Sequence, residues 1–409
     1  MSKPKILTYT TLFPNSVQPL WGHFVLERMR HLLPYADVTV IAPVPYFPRM
    51  RLNQRWFEFA SVPHSEQLNG FVVDHPRYLV LPKIGMFTHA VSMFLGTLSQ
   101  ARKHVDAKRC DLIDAHYVYP DGLAAVMLGA KLRKPVVVSA RGSDIHVFSE
   151  FRTIRPLIRK VLQRADAIVA VSEDLKNRMV GLGCPSEKIT VIENGVDTDL
   201  FKPFSKLECR HKLKLPETRP IVLSVGHLKE VKGFDLLIDA IARLRHTVPD
   251  VLLVIVGEGV YRKRLEKQIA KANLQDNVWL VGSRPHADLP FWYSAADLFC
   301  IASSSEGWPN VLLEALGCGL PVVAPRAWSA PEIVKDGTGL LVERSPEAFA
   351  RAMEEAVHKS WDTHAIVTYA RSRSWNNVAR RVRTLYSNVL SSAAHPNANE
   401  QDLSSPHAR

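Results

Sequence analysis

The feature that most constrains this chain is an alternation of short β-rich runs and amphipathic helical stretches, played through twice. In the first half, β-rich runs fall at 5–9, 38–42, 71–74, 112–115, 136–139, 167–171 and 189–192, with helical stretches such as 23–33, 121–132, 152–165 and 173–182 between them. Residues 193–219 break the pattern with Asn194-Gly195, Pro203 and Pro216, which reads as a linker. A second series follows, with runs at 221–225, 252–256, 278–281, 298–302, 322–324 and 340–342 and helices near 234–245, 262–272, 288–295, 310–316 and 346–358. Alternation of this kind makes a parallel sheet covered by helices on both faces. The expected fold is therefore α/β: two Rossmann-like domains, 1–200 and 201–375, facing a central cleft. A helix over 376–390 and a disordered Ser-, Ala- and Asn-rich tail over 391–409 complete the chain. In such sheets ligands bind beyond the C-terminal ends of the strands.

At 409 residues each domain has length for its own core. No apolar run reaches the length of a membrane span, and the N-terminus enters a β-rich run without a signal-peptide core. Five widely spaced cysteines fit neither a disulfide framework nor a zinc site, so a reducing cytoplasm is expected. The net charge of +12 is spread: residues 1–200 carry 25 Lys and Arg against 18 Asp and Glu, the remainder 27 against 22. The excess favours anionic partners such as diphosphates or an anionic membrane surface. Nucleic acid is not expected, because the chain has no aromatic-rich basic reader motif and no zinc finger.

The chemistry concentrates in Ser303-Ser304-Ser305-Glu306-Gly307-Trp308-Pro309-Asn310-Val311-Leu312-Leu313-Glu314-Ala315. It follows an apolar run read as a buried strand; Pro309 marks a helix start, and Gly319 with Pro321 its end. Glu306 then lies on the strand-to-helix loop and Glu314 in the helix, on one face with Asn310. Free amides of Asn310, Val311 and Leu312 at the helix N-terminus suit a phosphate. A diphosphate between two hydroxyl-accepting carboxylates matches a nucleotide sugar, one Glu holding the sugar ring and the other the ribose. On spacing alone, an acidic residue ahead of a helix and an exposed helical Glu account for the same pair.

The complete string from Glu306 to Ala315 is more specific, and it resembles the Glu-x7-Glu motif of retaining family 4 glycosyltransferases of the GT-B fold. The resemblance extends over residues 5–390 and implies metal-independent, cofactor-free transfer of a hexose from a nucleotide-diphosphate sugar, with the last helix crossing back onto the first domain. It places Glu306, Gly307, Trp308, Asn310, Val311 and Glu314 at the donor. The segment Gly226-His227-Leu228…Lys232-Gly233 resembles the family's Gly-Arg-Leu…Lys-Gly, whose cations neutralise the donor diphosphate. Lys232 matches; His227 stands at the Arg position and brings no fixed charge, with Lys229 as a replacement. Ser283 and Arg284 fall on the loop that holds the nucleobase in similar enzymes.

In the first domain, the resemblance assigns His116 to contact with the transferred sugar. Arg141-Gly142-Ser143-Asp144 resembles the family's His-Gly-x-Asp, with Arg141 at the His position; Gly142 permits close backbone approach. Asp144 is read either as orienting the acceptor or His116, or as a helix cap. Gly22, after a long loop from Phe13 to Trp21, belongs to an acceptor-shaping segment. The catalytic set is thus Glu306, Lys232, His116 and Asp144, and Gly22, Arg141 and Gly142 line the acceptor side. Asp197-x-Asp199 lies in the Asn-Gly-Val-Asp hinge and is not read as a metal site; Gly257-x-Gly259 is read as a tight turn and not a dinucleotide site.

Two basic stretches, Arg51, Arg55 and Trp56, and Arg152, Arg155, Arg159, Lys160 and Arg164, are candidates for contact with anionic lipid. The pattern also looks like bacterial surface-polysaccharide enzymes, which implies a glycan or lipid-linked acceptor and a place at the inner membrane face. Two rival functions remain on sequence: a nucleotide-sugar epimerase of similar fold, and a non-catalytic nucleotide-sugar binder.

Overall fold

The computed structural model describes residues 3–19, 21–46, 54–80 and 85–394. The chain divides into two compact units: residues up to 193 together with those from 378 onward, and residues 194–377. Each is built on one largely parallel sheet with helices between its strands, the Rossmann-like α/β form that the alternation predicts.

In the first unit, the sheet order is Ile189–Val191, Ala167–Ala170, Val136–Ser139, Leu112–His116, Lys5–Tyr9, Asp37–Ile41, Phe71–Asp74 and Ser65–Leu68. Only the last pair is antiparallel. The strands that follow Lys5–Tyr9 in sequence spread to one side, and those from Leu112 onward to the other. The order therefore reverses between Lys5–Tyr9 and Leu112–His116, and this crevice is where such sheets bind ligands. Leu112–His116 is buried at every residue, yet it carries Asp114 and His116. A small parallel pair, Val44–Tyr46 with Arg77–Leu79, lies outside the main sheet.

The last helix, Trp375–Ala394, belongs to this unit from Val378 on, so the chain does cross back. Its buried Val378, Val382, Tyr386 and Val389 recur every three or four residues and make one inward stripe. Arg381 pairs with Glu193 and donates to the Val191 carbonyl. The helix continues through residues 391–394, where a disordered tail is expected; the rest of that tail lies outside the described residues.

The second unit has the all-parallel order Val278–Gly282, Leu252–Val256, Ile221–Val225, Leu298–Cys300, Val322–Pro325 and Gly339–Val342. Its switch point lies between Ile221–Val225 and Leu298–Cys300. The helix Phe234–Leu244 buries Phe234, Leu237 and Ile241 in one core with Phe349 and Met353 of the helix Pro346–His358.

Of the basic stretches, Arg51 and the Arg55 side chain lie outside the described residues. The second forms the helix Arg155–Arg164, which starts after Arg152. Its Ile158, Val161 and Leu162 are buried in the unit, and Arg159, Lys160 and Arg164 are exposed. The apolar stripe is used internally, so this helix offers a surface charge alone. No helix among the described residues is long and apolar enough to cross a membrane.

Three loops at the C-terminal ends of the second sheet are tied by backbone bonds. Gly226 donates to the Val256 carbonyl at 3.0 Å, Leu228 to Glu258 at 2.9 Å, and Gly257 to Gly282 at 2.9 Å. Gly257 packs so closely that an added Cβ would lie 1.9 Å from the Gly226 carbonyl oxygen. The Gly257-x-Gly259 pair thus serves close loop packing. Gly257→Ala is expected to cost about 1–3 kcal/mol, since backbone must shift to admit the methyl group. Gly181→Ala, in open space at a helix end, is expected to be neutral or mildly stabilising. Urea midpoints of the two variants check the contrast.

Candidate active site

The strands flanking the second unit's switch point deliver the two residues with the strongest sequence signal. Ile221–Val225 leads into the loop ending at Lys232 and Gly233, and Leu298–Cys300 leads into the loop holding Ser303 and Glu306. Lys232 Nζ and Glu306 Oε1 are 2.6 Å apart, and the Ser303 hydroxyl donates to the same oxygen at 2.7 Å. Lys232 is 26% exposed and Glu306 14%, so each still reaches solvent while screening is reduced. The surrounding loop is pinned: Ser304 N–H donates to the Val231 carbonyl at 2.8 Å, and the Trp328 indole to the Ser303 carbonyl at 3.2 Å. Arg344, which no sequence motif marks, donates to the Ala302 carbonyl at 2.8 Å and adds a second cation near this loop.

The helix runs Asn310–Gly317, with Pro309 as its capping residue and not its first. Leu312 N–H is not free as expected: it donates to the Pro309 carbonyl at 3.1 Å. Asn310 and Val311 therefore supply the amides at the open end of the helix. Gly307 precedes Trp308, which is 7% exposed and whose buried indole N–H has no hydrogen-bond partner. Asn310 and Glu314 share a face, each with protein partners. Asn194 donates to Asn310 Oδ1 at 3.1 Å. The Tyr293 hydroxyl donates to Glu314 Oε2 at 2.9 Å, and His286 Nε2 stands 3.5 Å from Oε1. Tyr293 and His286 carry no motif and were not legible from sequence.

His227 is exposed beside Gly226; partial burial, then the charge of Lys229, lower its pKa and leave it neutral at pH 7. Ser283 and Arg284 are exposed at the end of Val278–Gly282. Arg284 bonds back to the Ser283 carbonyl at 3.1 Å and lies 5.5 Å from the Trp292 ring centroid, a cation–π contact. Asp197 Oδ1 accepts from the amides of Asp199 and Leu200 at 3.0 and 3.1 Å, so it organises its own turn. Among the described residues no group of three or more His, Cys, Asp and Glu is placed to hold a metal.

In the first unit, Gly22 takes φ 65° at the start of its helix, where a Cβ would lie 2.3 Å from the Leu12 carbonyl. The neighbouring Trp21 is exposed and donates to the Thr11 carbonyl at 2.9 Å. Asp144 is fully buried and accepts from the amides of Val118 at 2.7 Å, Arg141 at 3.0 Å and Gly142 at 2.8 Å. It fastens the loops after two neighbouring strands to one another. His116 is also fully buried. Its Nε2 lies 2.8 Å from Asp114 Oδ2, and Arg141 Nη2 donates to its Nδ1.

The sequence did not single out Asp114, Arg28 or Tyr386, which join this cluster. Burial opposes ionisation of Asp114, but His116 and the Arg28 guanidinium outweigh it and keep the carboxyl below its usual range. The Tyr386 hydroxyl faces Asp114, outside good hydrogen-bond geometry but near enough to assist. Buried Arg28 donates to Ser139 Oγ at 3.3 Å. The available signal was a charged pair, Asp114 and His116, inside a strand otherwise apolar.

Two buried groups give this unit opposed responses to pH. Burial pushes His116 down to about 4 against the raising effect of Asp114, with Arg141 and Arg28 adding to the lowering, so between pH 6.5 and 4 the unfolded chain binds a proton that the folded one does not. Stability from this group is full above 6.5 and falls on acidification. Burial pushes Asp121 up to about 7 despite bonds from the Thr11 amide and hydroxyl, so here the folded chain binds the extra proton and stability falls as pH rises from 4 to 7. The two slopes oppose each other between pH 4 and 6.5. Asp121→Asn removes one, and its stability is expected to drop more steeply on acidification than wild type, by up to about 1.4 kcal/mol per pH unit. Urea melts from pH 4.5 to 7 measure the difference.

Comparison with known proteins covers both halves. The family described as Glycosyl transferases group 1 matches residues 205–373, and Glycosyltransferase Family 4 matches residues 37–200. A GDP-mannose-dependent alpha-(1-6)-phosphatidylinositol monomannoside mannosyltransferase of Mycolicibacterium smegmatis is 34% identical, over 83% of this chain and 85% of its own. The putative teichuronic acid biosynthesis glycosyltransferase TuaC of Bacillus subtilis is 27% identical, over 87% and 90%. Among solved structures, Anabaena HepE in complex with UDP superposes with a TM-score of 0.72 at 21% identity, covering 94% of this chain and all of that one. Matches to both halves, together with so similar a full-length relative, make this chain a member of the group 1 glycosyltransferases, with a family 4 N-terminal half and the GT-B fold.

Proposed function

We propose that this protein is a retaining, metal-independent hexosyltransferase that takes its sugar from a nucleotide diphosphate and delivers it to a lipid-linked glycan in polysaccharide assembly. The observation that carries the reading is the Lys232–Glu306 pair, set on the two loops that flank the second unit's switch point and next to the N-terminus of the helix Asn310–Gly317. When the anomeric C–O bond breaks, negative charge grows on the departing diphosphate. In this reading Lys232, on exchanging its Glu306 partner for the phosphate, and the Asn310 and Val311 amides take up that charge. Glu306 accepts hydrogen bonds from sugar hydroxyls, and Glu314, held by Tyr293, from the ribose. The acceptor hydroxyl bonds to the anomeric carbon on the face the diphosphate leaves, and its proton passes to the departing phosphate oxygen, so configuration is kept.

Support for a nucleotide sugar also comes from the relatives: the mycobacterial one is named for GDP-mannose, and HepE was solved with UDP. The lipid acceptor is supported by the phosphatidylinositol monomannoside in the first name, and polysaccharide assembly by the teichuronic acid in the second. The basic exposed face of the helix Arg155–Arg164 is compatible with an anionic lipid surface.

The test is nucleoside diphosphate release from GDP-mannose, UDP-glucose and related donors, with phosphatidylinositol vesicles as acceptor and product analysis by mass spectrometry. Transfer is expected. An isomerised free nucleotide sugar would indicate an epimerase, and no turnover a binding protein. Lys232→Ala is expected to lose roughly 2–4 kcal/mol of transition-state stabilisation, and Glu306→Ala to abolish transfer with little loss of fold. Wild-type rates in both would remove the assignment. Activity is expected to persist in EDTA; loss restored by manganese would refute the metal-free mechanism.

A further inference from the structure

His116 ends a strand beside the first unit's switch point and Arg141 follows the C-terminal end of the next strand, and the resemblance assigns sugar contact to His116. Their surroundings differ. His116 has no exposed surface and both ring nitrogens are engaged. The Asp114 carboxylate only accepts, so the hydrogen is on Nε2; a guanidinium only donates, so Nδ1 offers its lone pair to Arg141. The imidazole is a spacer between a buried carboxylate and a cation. Arg141 is half-buried, with its guanidinium 5.2 Å from the Phe24 ring centroid and its backbone fixed by Asp144. It lies two residues beyond Ser139, the last residue of a parallel strand, and precedes Gly142 and the exposed Ser143.

We propose that Arg141 is the residue through which the first unit touches a sugar or phosphate oxygen of its substrate, and that His116, locked in one tautomer by Asp114, is a positioning residue that acts only by holding that guanidinium. The proposal rests on the transferase reading above and assigns the contact to a different side chain. An arginine held at one terminal nitrogen by imidazole, with an aromatic face beneath it, has its fork oriented before substrate arrives, so less freedom is lost per bond formed. Burial, and after it the neighbouring Arg28, presses Arg141 down to about 9, so it stays cationic at neutral pH. Arg28 is 2% exposed and serves inside the cluster, bonded to Ser139.

A double-mutant cycle tests this, with kcat/KM read from nucleoside diphosphate release in the GDP-mannose or UDP-glucose assay above. Arg141→Met is expected to lower kcat/KM by about 10–100-fold, as for loss of one charged hydrogen bond. His116→Asn is expected to lower it by a smaller factor, because the amide oxygen keeps an acceptor near the Nδ1 position. If His116 acts through Arg141, the double variant falls no further than Arg141→Met alone, within about twofold. Multiplying losses would mean that His116 meets substrate itself and would overturn the proposal. Should His116→Asn fail to fold by circular dichroism, the isosteric Asp114→Asn takes its place in the cycle with the same expectation. Independently of any activity, nitrogen-15 NMR of the full chain is expected to show His116 as the neutral Nε2–H tautomer from pH 8 to 5.5. An Nδ1–H tautomer, or protonation within that range, would refute the lock even if transfer is confirmed. A wild-type protein without transfer but with the lock intact would place the error in the functional reading.

Discussion

A carboxylate with no access to water governs the first unit. Asp114 sits in the middle of the sheet, and an isolated charge there would cost several kcal/mol or more. Everything near it compensates: the His116 N–H from its own strand, Arg28 from the first helix, and Tyr386 from the last. Three segments far apart in sequence are thereby required to meet at one point. Arg141 then depends on His116, and a second buried carboxylate, Asp144, holds the loop after Val136–Ser139, so two buried carboxyl groups set the geometry of these strand ends.

The second unit solves a different problem with the same topology. Its switch-point residues, Lys232 and Glu306, neutralise one another directly and remain partly exposed. On the transferase reading proposed above, such a pair is poised for exchange: an incoming diphosphate would compete for the ammonium, and the freed carboxylate oxygens would turn to hydroxyls. In the first unit the charges are sealed and fixed; in the second they are paired but reachable.

The main strands and the Glu306–Glu314 string were legible because they depend on local pattern: apolar runs, turn residues and a spacing of helical period. What was missed has common physical causes. The helix His89–Asp106 buries Ala90, Met93, Thr97, Ala101 and His104, a regular stripe made of small and polar residues, so no hydrophobic period announced it. The edge strand Ser65–Leu68 is polar and largely exposed, and it exists because Phe71–Asp74 offers it a hydrogen-bonding edge. Among site residues, Arg28, Tyr386, Tyr293 and His286 enter through contacts across the fold, which no spacing encodes. The expected free amide of Leu312 failed because Pro309 caps the helix and lends its carbonyl.

The return of the last helix also has a consequence for how the protein is made. The first unit is discontinuous: residues 194–377 leave the ribosome before the segment that completes it. At 5–20 residues per second that interval is on the order of 10–40 seconds. Throughout it, the groove that receives Val378, Val382 and Tyr386 is open and Asp114 lacks one of its partners. The second unit is continuous and can close on itself first, so the half of the protein synthesised earliest is the last to finish folding. A nascent chain in that state exposes apolar surface, and it is then, before the final helix docks, that chaperones and proteases have their opportunity.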